Sequence, residues 1–115
     1  MADPYRVHWS EQAESDVTEI VEHVSRGAPM AASDLAGALE RRAATLVSLP
    51  MRGRVVPEFA TFQIRTYREI IEGPYRILYR IDGRAVQVVT VVDSRRDLAT
   101  LLVSRLLGAD PAGRG

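Results

Sequence analysis

The chain is predicted to fold as an α+β domain, with helices in its first half and strands in its second. Three observations predict this. Apolar residues recur at helical spacing from Ala13 to Val47. From Gln63 to Val92 the pattern changes to alternation and short apolar runs, punctuated by Glu72-Gly73-Pro74 and Asp82-Gly83. No internal repeat or low-complexity linker divides the 115 residues. A chain of this size has room for one modest core that buries roughly two-thirds of the unfolded surface.

The elements follow in order. Tyr5–Trp9 alternates as a first strand. Ser10 can cap the next helix, and Glu11, Glu14 and Asp16 suit its positive end. Ala13, Val17, Ile20, Val21 and Val24 form the buried stripe of that helix, over about 11–25. Gly27 is expected as a left-handed cap, and Pro29 as an early residue of a second helix. That helix runs to about Ser48 with Ala32, Leu35, Leu39, Ala43, Leu46 and Val47 on its apolar face, and Pro50 marks its end. Residues 51–62 read as an irregular link. A strand is expected from about Gln63 to Ile71, then a second over Tyr75–Ile81 and a third over Val86–Val92, as an antiparallel meander. The near-continuous apolar run of the third suggests a central strand covered on both faces. Asp97 caps a short helix, Leu98–Leu107, with Leu98, Leu101, Leu102 and Leu106 near one face. Gly108 stops it, and the last residues are expected to fray.

Composition excludes several classes. There is no cysteine, so neither a disulfide framework nor a thiolate zinc site is possible, and His8 and His23 are too few for most structural zinc sites. No scattered carboxylates show metal-ligand spacing, and no Walker loop or dinucleotide fingerprint is present, so neither metal nor cofactor is expected. The longest apolar runs are too short to span a membrane, and the acidic N-terminus does not read as a signal peptide, so a cytoplasmic protein is expected. No histidine lies near a legible nucleophile and acid.

Net charge is zero but uneven: residues 1–50 hold four arginines against eight acids, and 51–84 seven arginines against four. All 15 basic residues are arginine. The segment Arg68–Arg80, REIIEGPYRILYR, concentrates this charge. Strand alternation places side chains i and i+2 on one face, about 6.8 Å apart. Tyr75, Ile77, Tyr79 and Ile81 then read as core, while Arg76, Leu78 and Arg80 face the other way. Arg65, Arg68, Arg76, Arg80, Arg95 and Arg96 fall on adjacent strands and the exit of the last one. Such a cluster can hold a phosphate or an acidic partner, because guanidinium binds both bidentately. The simpler reading pairs most of them with Glu58, Glu69, Glu72, Asp82, Asp93 or Asp97, in ion pairs that contribute roughly 0–1 kcal/mol each at a surface. Arg76, mid-sheet among apolar residues, is the exception expected to act on a partner. Tyr67, Tyr75 and Tyr79 could supply hydroxyls, although strand tyrosines more often pack. The leucine-rich last helix is a lid on the core or a surface shared with a protein partner.

Four phrases, taken in order, resemble a known family: Tyr5–Asp16 (YRVHWSEQAESD), Leu49–Val55 (LPMRGRV), Arg68–Arg80 (REIIEGPYRILYR) and Val91–Asp97 (VVDSRRD). Together with the intervening spacing they cover nearly the whole chain, from about Tyr5 to Leu107. In this wording the chain resembles the small toxins of the RelE/ParE superfamily, from bacterial type II toxin–antitoxin (plasmid stabilisation) systems.

The resemblance implies one toxin domain over residues 1–110 with a flexible tail at 111–115. It implies a helical hairpin on a small antiparallel sheet of three to four strands, and a cognate antitoxin that wraps and neutralises the toxin. Contact with operator DNA would come only through the antitoxin complex. Activity in the superfamily divides. Ribosome-dependent members cleave mRNA without a metal, and carried over to this chain their constellation would use Arg68, Arg76 and Arg95, with Tyr67 or Tyr79 moving a proton. Gyrase-poisoning members keep the fold without that chemistry. The late acid–base position of the nucleases falls at Thr100–Leu102, a threonine and two leucines. That departure, net neutrality and the Arg95-Arg96-Asp97 ending before a leucine-rich helix lean toward a ParE-like toxin directed at DNA gyrase. A RelE-like endoribonuclease and a non-toxic antitoxin-binding domain are the alternatives. Target or antitoxin contacts are expected at Arg65, Arg68, Arg76, Arg80, Arg95, Arg96, Leu101 and Leu102.

Overall fold

The computed structural model describes residues 4–106, without the side chains of Leu102, Val103, Arg105 and Leu106. Strand β1 (Arg6–Trp9) leads into helix α1 (Glu11–Gly27) and helix α2 (Pro29–Ala44). A 3-10 turn at Thr45–Val47 and another at Pro50–Arg52 precede β2 (Arg54–Val55) and a single helical turn, α3 (Pro57–Ala60). The meander β3 (Tyr67–Glu72), β4 (Tyr75–Asp82) and β5 (Ala85–Asp93) follows, and then α4 (Leu98–Leu106).

The strands form one sheet in the order β1-β5-β4-β3-β2. Strands β2 to β5 are antiparallel, as expected, and β1 adds an edge that runs parallel to β5, pairing Arg6 with Ala85 and Trp9 with Val88. Strand β5 therefore lies between β1 and β4, in keeping with its continuous apolar run. Both hairpin turns use glycine in the left-handed region, Gly73 at φ +60° and Gly83 at φ +59°, where a side chain would be strained.

Ser10 caps α1 as its sequence position suggests. Its backbone is extended and its Oγ accepts from the Ala13 amide at 3.0 Å. The same hydroxyl donates to the Val89 carbonyl at 3.0 Å, so the cap also fixes the helix start to β5. At the other end the expectation for Gly27 fails. Gly27 stays helical, and Ala28 leaves the helix at φ −149° and ψ 73°. Pro29 bars Ala28 from helical geometry, so the proline alone ends α1 and no left-handed glycine is needed. Helix α2 stops at Ala44 rather than Ser48, and its last expected turn tightens to 3-10. The third-quarter strand starts at Tyr67, not Gln63, because Gln63 sits at φ +64° closing α3. The expected irregular link at 51–62 holds β2 and α3, elements too short to show a period.

Both faces of the sheet are covered. On one, Ala13, Leu39, Ala43 and Leu46 from the helical layer pack on Ile70, Ile77, Tyr79, Val86 and Val88. Each fully buried aliphatic side chain contributes about 1.5–3 kcal/mol. On the other, Val56, Phe59, Leu78, Val92 and Leu98 form a second cluster, with Tyr67 and Leu101 packed against it. The face that the sequence suggested as an open arginine surface is thus roofed at Leu78 by α3 and α4.

Candidate functional site

Strand pairing divides the candidate residues before any chemistry is considered. Directly opposed residues of an antiparallel pair share a face. Arg68 opposes Tyr79, and Tyr79 belongs to the core under the helices. Tyr67 opposes Arg80, and Arg76 opposes Ile71, on the other face. The set Arg68, Arg76, Arg95, Tyr67 and Tyr79 is therefore not brought together: it is split between two sides of one sheet and the exit of β5.

Arg76 is where the structure departs most from the sequence reading. Its head is buried, with 8% of the side chain exposed, and its Nε donates to Glu69 Oε1 at 2.6 Å. Its Nη1 and Nη2 donate to the two carboxylate oxygens of Glu58 at 3.0 and 2.7 Å, a bidentate pair. Glu69 has no exposed side-chain surface and also accepts from Arg54 Nε at 2.5 Å. The arginine expected to face a partner is instead the centre of a four-residue ion network that ties α3 and β2 to the sheet. Burial alone would lower the Arg76 pKa, but its hydrogen bonds to the Glu58 and Glu69 carboxylates outweigh it and hold the guanidinium above its ordinary value. The hydrogen bonds from Arg76 hold the Glu58 carboxyl below its ordinary range.

Tyr79 and Arg68 meet around Gly53. The Tyr79 hydroxyl accepts from the Gly53 amide at 3.0 Å and donates to the Pro50 carbonyl at 2.7 Å. Arg68 Nη1 donates to the Gly53 carbonyl at 2.7 Å. Burial pushes the Tyr79 phenol up, away from proton transfer near neutrality. A Cβ on Gly53 would stand 2.5 Å from both the Glu69 carbonyl and the Tyr79 hydroxyl, so only glycine admits this approach. The LPMRGRV phrase thus reads as the segment that the buried tyrosine pins in place. Tyr67 packs its ring against Phe59, centroids 5.2 Å apart.

The remaining arginines are more open. Arg65 is exposed in the link before β3, and Arg80 is half-buried with its head 3.9 Å from Asp82. Arg95 pairs with Asp93 at 2.5 Å and 2.8 Å, and its hydrogen bonds pull the Asp93 carboxyl down to about 2. Arg96 is exposed and lines a cavity of about 310 Å³ together with Tyr75, Asp93 and Leu101, between α1 and the end of β5. Leu101 is half-buried, while the side chain of Leu102 lies outside the described residues, as do Gly108 and the 111–115 tail. Thr100 donates to Asp97 at 3.3 Å, at the start of α4. Of the paired carboxylates weighed from sequence, Glu58, Glu69, Glu72, Asp82 and Asp93 all meet an arginine.

Two acids take roles more specific than the sequence reading gave them: Glu69, there one of several candidate arginine partners, and Asp16. Glu69 lies two residues from Ile71, which opposes Arg76, so the register of the Gly73-Pro74 turn puts Glu69 diagonally beside that arginine. Counting that register would have found it. Asp16, taken as a helix-start acid, is buried on the same stripe as Ala13, and its Oδ2 accepts from Thr90 Oγ1 at 2.5 Å and from the Val91 amide at 3.0 Å. Among the described residues no three His, Cys, Asp or Glu side chains converge as metal ligands, and no helix is long and apolar enough to cross a membrane.

Comparison with known proteins fits this geometry. The model of the ParE toxin of type II toxin–antitoxin systems, parDE, matches residues 7–98. No curated protein sequence matches the chain. Among solved structures, a chain of the chromosomal ParDE toxin–antitoxin system from P. aeruginosa aligns with TM-score 0.67 at 17% identity, covering 80% of this chain and 98% of that one. A chain of the toxin–antitoxin complex RelBE2 from Mycobacterium tuberculosis aligns with TM-score 0.55 at 23% identity, covering 81% and 94%. These likenesses establish the fold, and the family match over most of the chain establishes the kinship. The chain belongs to the ParE toxin family, the toxin half of type II toxin–antitoxin systems that act opposite a cognate antitoxin.

Proposed function

We propose that this toxin acts on DNA gyrase through a protein surface and breaks no bond itself. One observation carries the reading: the residues that metal-free RNA cleavage would need are divided between two sheet faces, and Arg76 is already neutralised by two carboxylates. Cleavage requires a cation, an acid and a base converging within about 3 Å of one phosphate. Taking Arg76 for a phosphate would break its bonds to Glu58 and Glu69 and leave the buried Glu69 carboxylate with Arg54 alone, a cost set against any gain from the phosphate. The exposed arginines Arg65, Arg95 and Arg96, with the half-buried Arg80 and Leu101, supply the surface for target or antitoxin. Arg68 and Arg76 serve the scaffold beneath it.

The test is a supercoiling assay with purified gyrase, run beside in vitro translation with primer extension. Inhibition or trapped DNA cleavage with intact message is expected. R95E/R96E should reduce inhibition at least tenfold while leaving the thermal midpoint nearly unchanged, because both residues are exposed. Codon-linked message cleavage with unaffected gyrase would overturn the proposal in favour of a nuclease. Inactivity in both assays would leave only an antitoxin-binding role.

A further inference from the structure

The cavity between α1 and the end of β5 holds more chemistry than a protein contact needs. Its volume of about 310 Å³ is at the small end of the range for ligand clefts. Asp16, Glu19, Ile20 and His23 recur at i, i+3, i+4 and i+7, so α1 turns one face toward it. Tyr75, Val91 and Asp93 from the sheet, with Arg96 and Leu101, line the other side. Part of the charged lining is already engaged. Asp16 accepts from Gln12, Thr90 and the Val91 amide, and Asp93 accepts from Arg95. Glu19 and Arg96 are exposed, and among the described residues neither forms an ion pair, with the other or with any third group. Tyr75 adds an independent observation. Only 8% of it is exposed, its ring belongs to the core under the helices, and its hydroxyl makes no hydrogen bond among the described residues. No buried side-chain oxygen among those residues is left without a partner. The Tyr75 hydroxyl therefore opens into the cavity rather than into the core.

We propose that this cavity binds a small zwitterion, a free α-amino acid with an aliphatic side chain. Unlike charges that line one cleft without pairing suit a ligand that carries both signs. The α-carboxylate would accept from the Arg96 guanidinium and from the Tyr75 hydroxyl. The α-ammonium would meet Glu19, and the side chain would lie against Ile20, Val91 and Leu101. The exposed His23, one turn beyond Glu19, adds a ring nitrogen on the acidic side. A simple anion is disfavoured because Glu19 would face it, and a simple cation because Arg96 would. Arg96 and Leu101 also belong to the proposed target surface. Binding is measured without gyrase, however, so either reading can fail alone.

The probes are L-leucine and three relatives, each short of one group. 3-Methylbutylamine lacks the carboxylate, 4-methylpentanoate the ammonium, and glycine the side chain. Isothermal titration calorimetry of the full chain near neutral pH should show submillimolar binding of L-leucine. Each relative should bind at least tenfold more weakly. E19Q should weaken L-leucine at least tenfold without weakening 4-methylpentanoate. R96Q should weaken L-leucine at least tenfold without weakening 3-methylbutylamine. Y75F keeps the ring in the core and removes only the hydroxyl, so it should weaken L-leucine about three- to tenfold. Circular dichroism and the thermal midpoint check the fold of each variant. Glu19 and Arg96 are exposed, so their variants carry the test even where Y75F loses stability. Absence of L-leucine binding at millimolar concentration would overturn the proposal, as would affinity indifferent to both E19Q and R96Q. Equal binding of any one relative would also overturn it, because the group that relative lacks would then play no part.

Discussion

Removing the Arg76 guanidinium takes both hydrogen bonds from the partly exposed Glu58 and leaves Glu69, which has no exposed side-chain surface, with Arg54 alone. Arg76→Ala should therefore cost about 3 kcal/mol, the low end of the range for breaking a buried pair from one side, because Arg54 still neutralises Glu69. Urea unfolding of purified protein measures it. The double variant R76M/E69M should recover most of that loss, because an apolar pair of similar volume carries no desolvation penalty. A single-variant loss under about 1 kcal/mol would show that water substitutes for the arginine. The sequence reading instead turned Arg76 toward a partner, and a head exposed in that way could be removed with the fold largely intact. Alternation along β4 was legible and correctly turned Arg76 away from Ile77 and Tyr79. What covers that face was not, because α3 is one turn long and Glu58 reaches Arg76 across 18 positions of sequence. Gly53 shows the same limit: the sequence marks a glycine in a link, and only the fold brings Tyr79 against it.

Helix α1 is held to the sheet by one acid as much as by its apolar stripe. A shift of register between Leu78 and Tyr79 interrupts the pairing of β4 with β5 near Thr90. The strand groups there turn to α1, where Asp16 accepts from the Thr90 hydroxyl and the Val91 amide, and Gln12 donates to its other oxygen at 2.9 Å. Such bulges free backbone donors that need a partner when buried. Asp16→Ala should cost about 2–3 kcal/mol, the worth of hydrogen bonds to a charged acceptor. Asp16→Asn, which keeps one acceptor oxygen, should cost about half as much. Hydrogen exchange at the Val91 amide should accelerate in the alanine variant before global unfolding does. Unchanged protection there would mean that the bulge is held by β4 alone. The helices and the meander were legible because each is set by local period and by glycine turns. The parallel edge was not, since Ser10 and Val89, which join it to the sheet, lie 79 positions apart.

At the scale of the whole molecule, charge is sorted by layer: Glu14, Glu22 and Glu40 on the hairpin meet no arginine among the described residues, whereas Glu58, Glu69, Glu72, Asp82 and Asp93 each do. The paired ones make stability depend on pH. The hydrogen bonds from Arg76 hold Glu58 below its ordinary range, and those from Arg95 hold Asp93 at about 2. A carboxylate whose folded pKa is depressed binds fewer protons than it does in the unfolded chain, so stability rises with pH through that window. The contribution is complete above the ordinary carboxylate pKa of about 4 and is lost as pH falls toward 2. The thermal midpoint should therefore be flat from pH 7 to about 5 and decline steadily below about 4. Arg95 is mostly exposed, so solvent screening makes the Asp93 share small. The larger share belongs to the buried network, and R76M/E69M should flatten the acid decline, whereas R95A should leave it nearly unchanged. Scanning calorimetry of the three proteins between pH 2 and 7 separates these outcomes. An acid decline of equal slope in all three would place the titrating groups outside the Arg76 network.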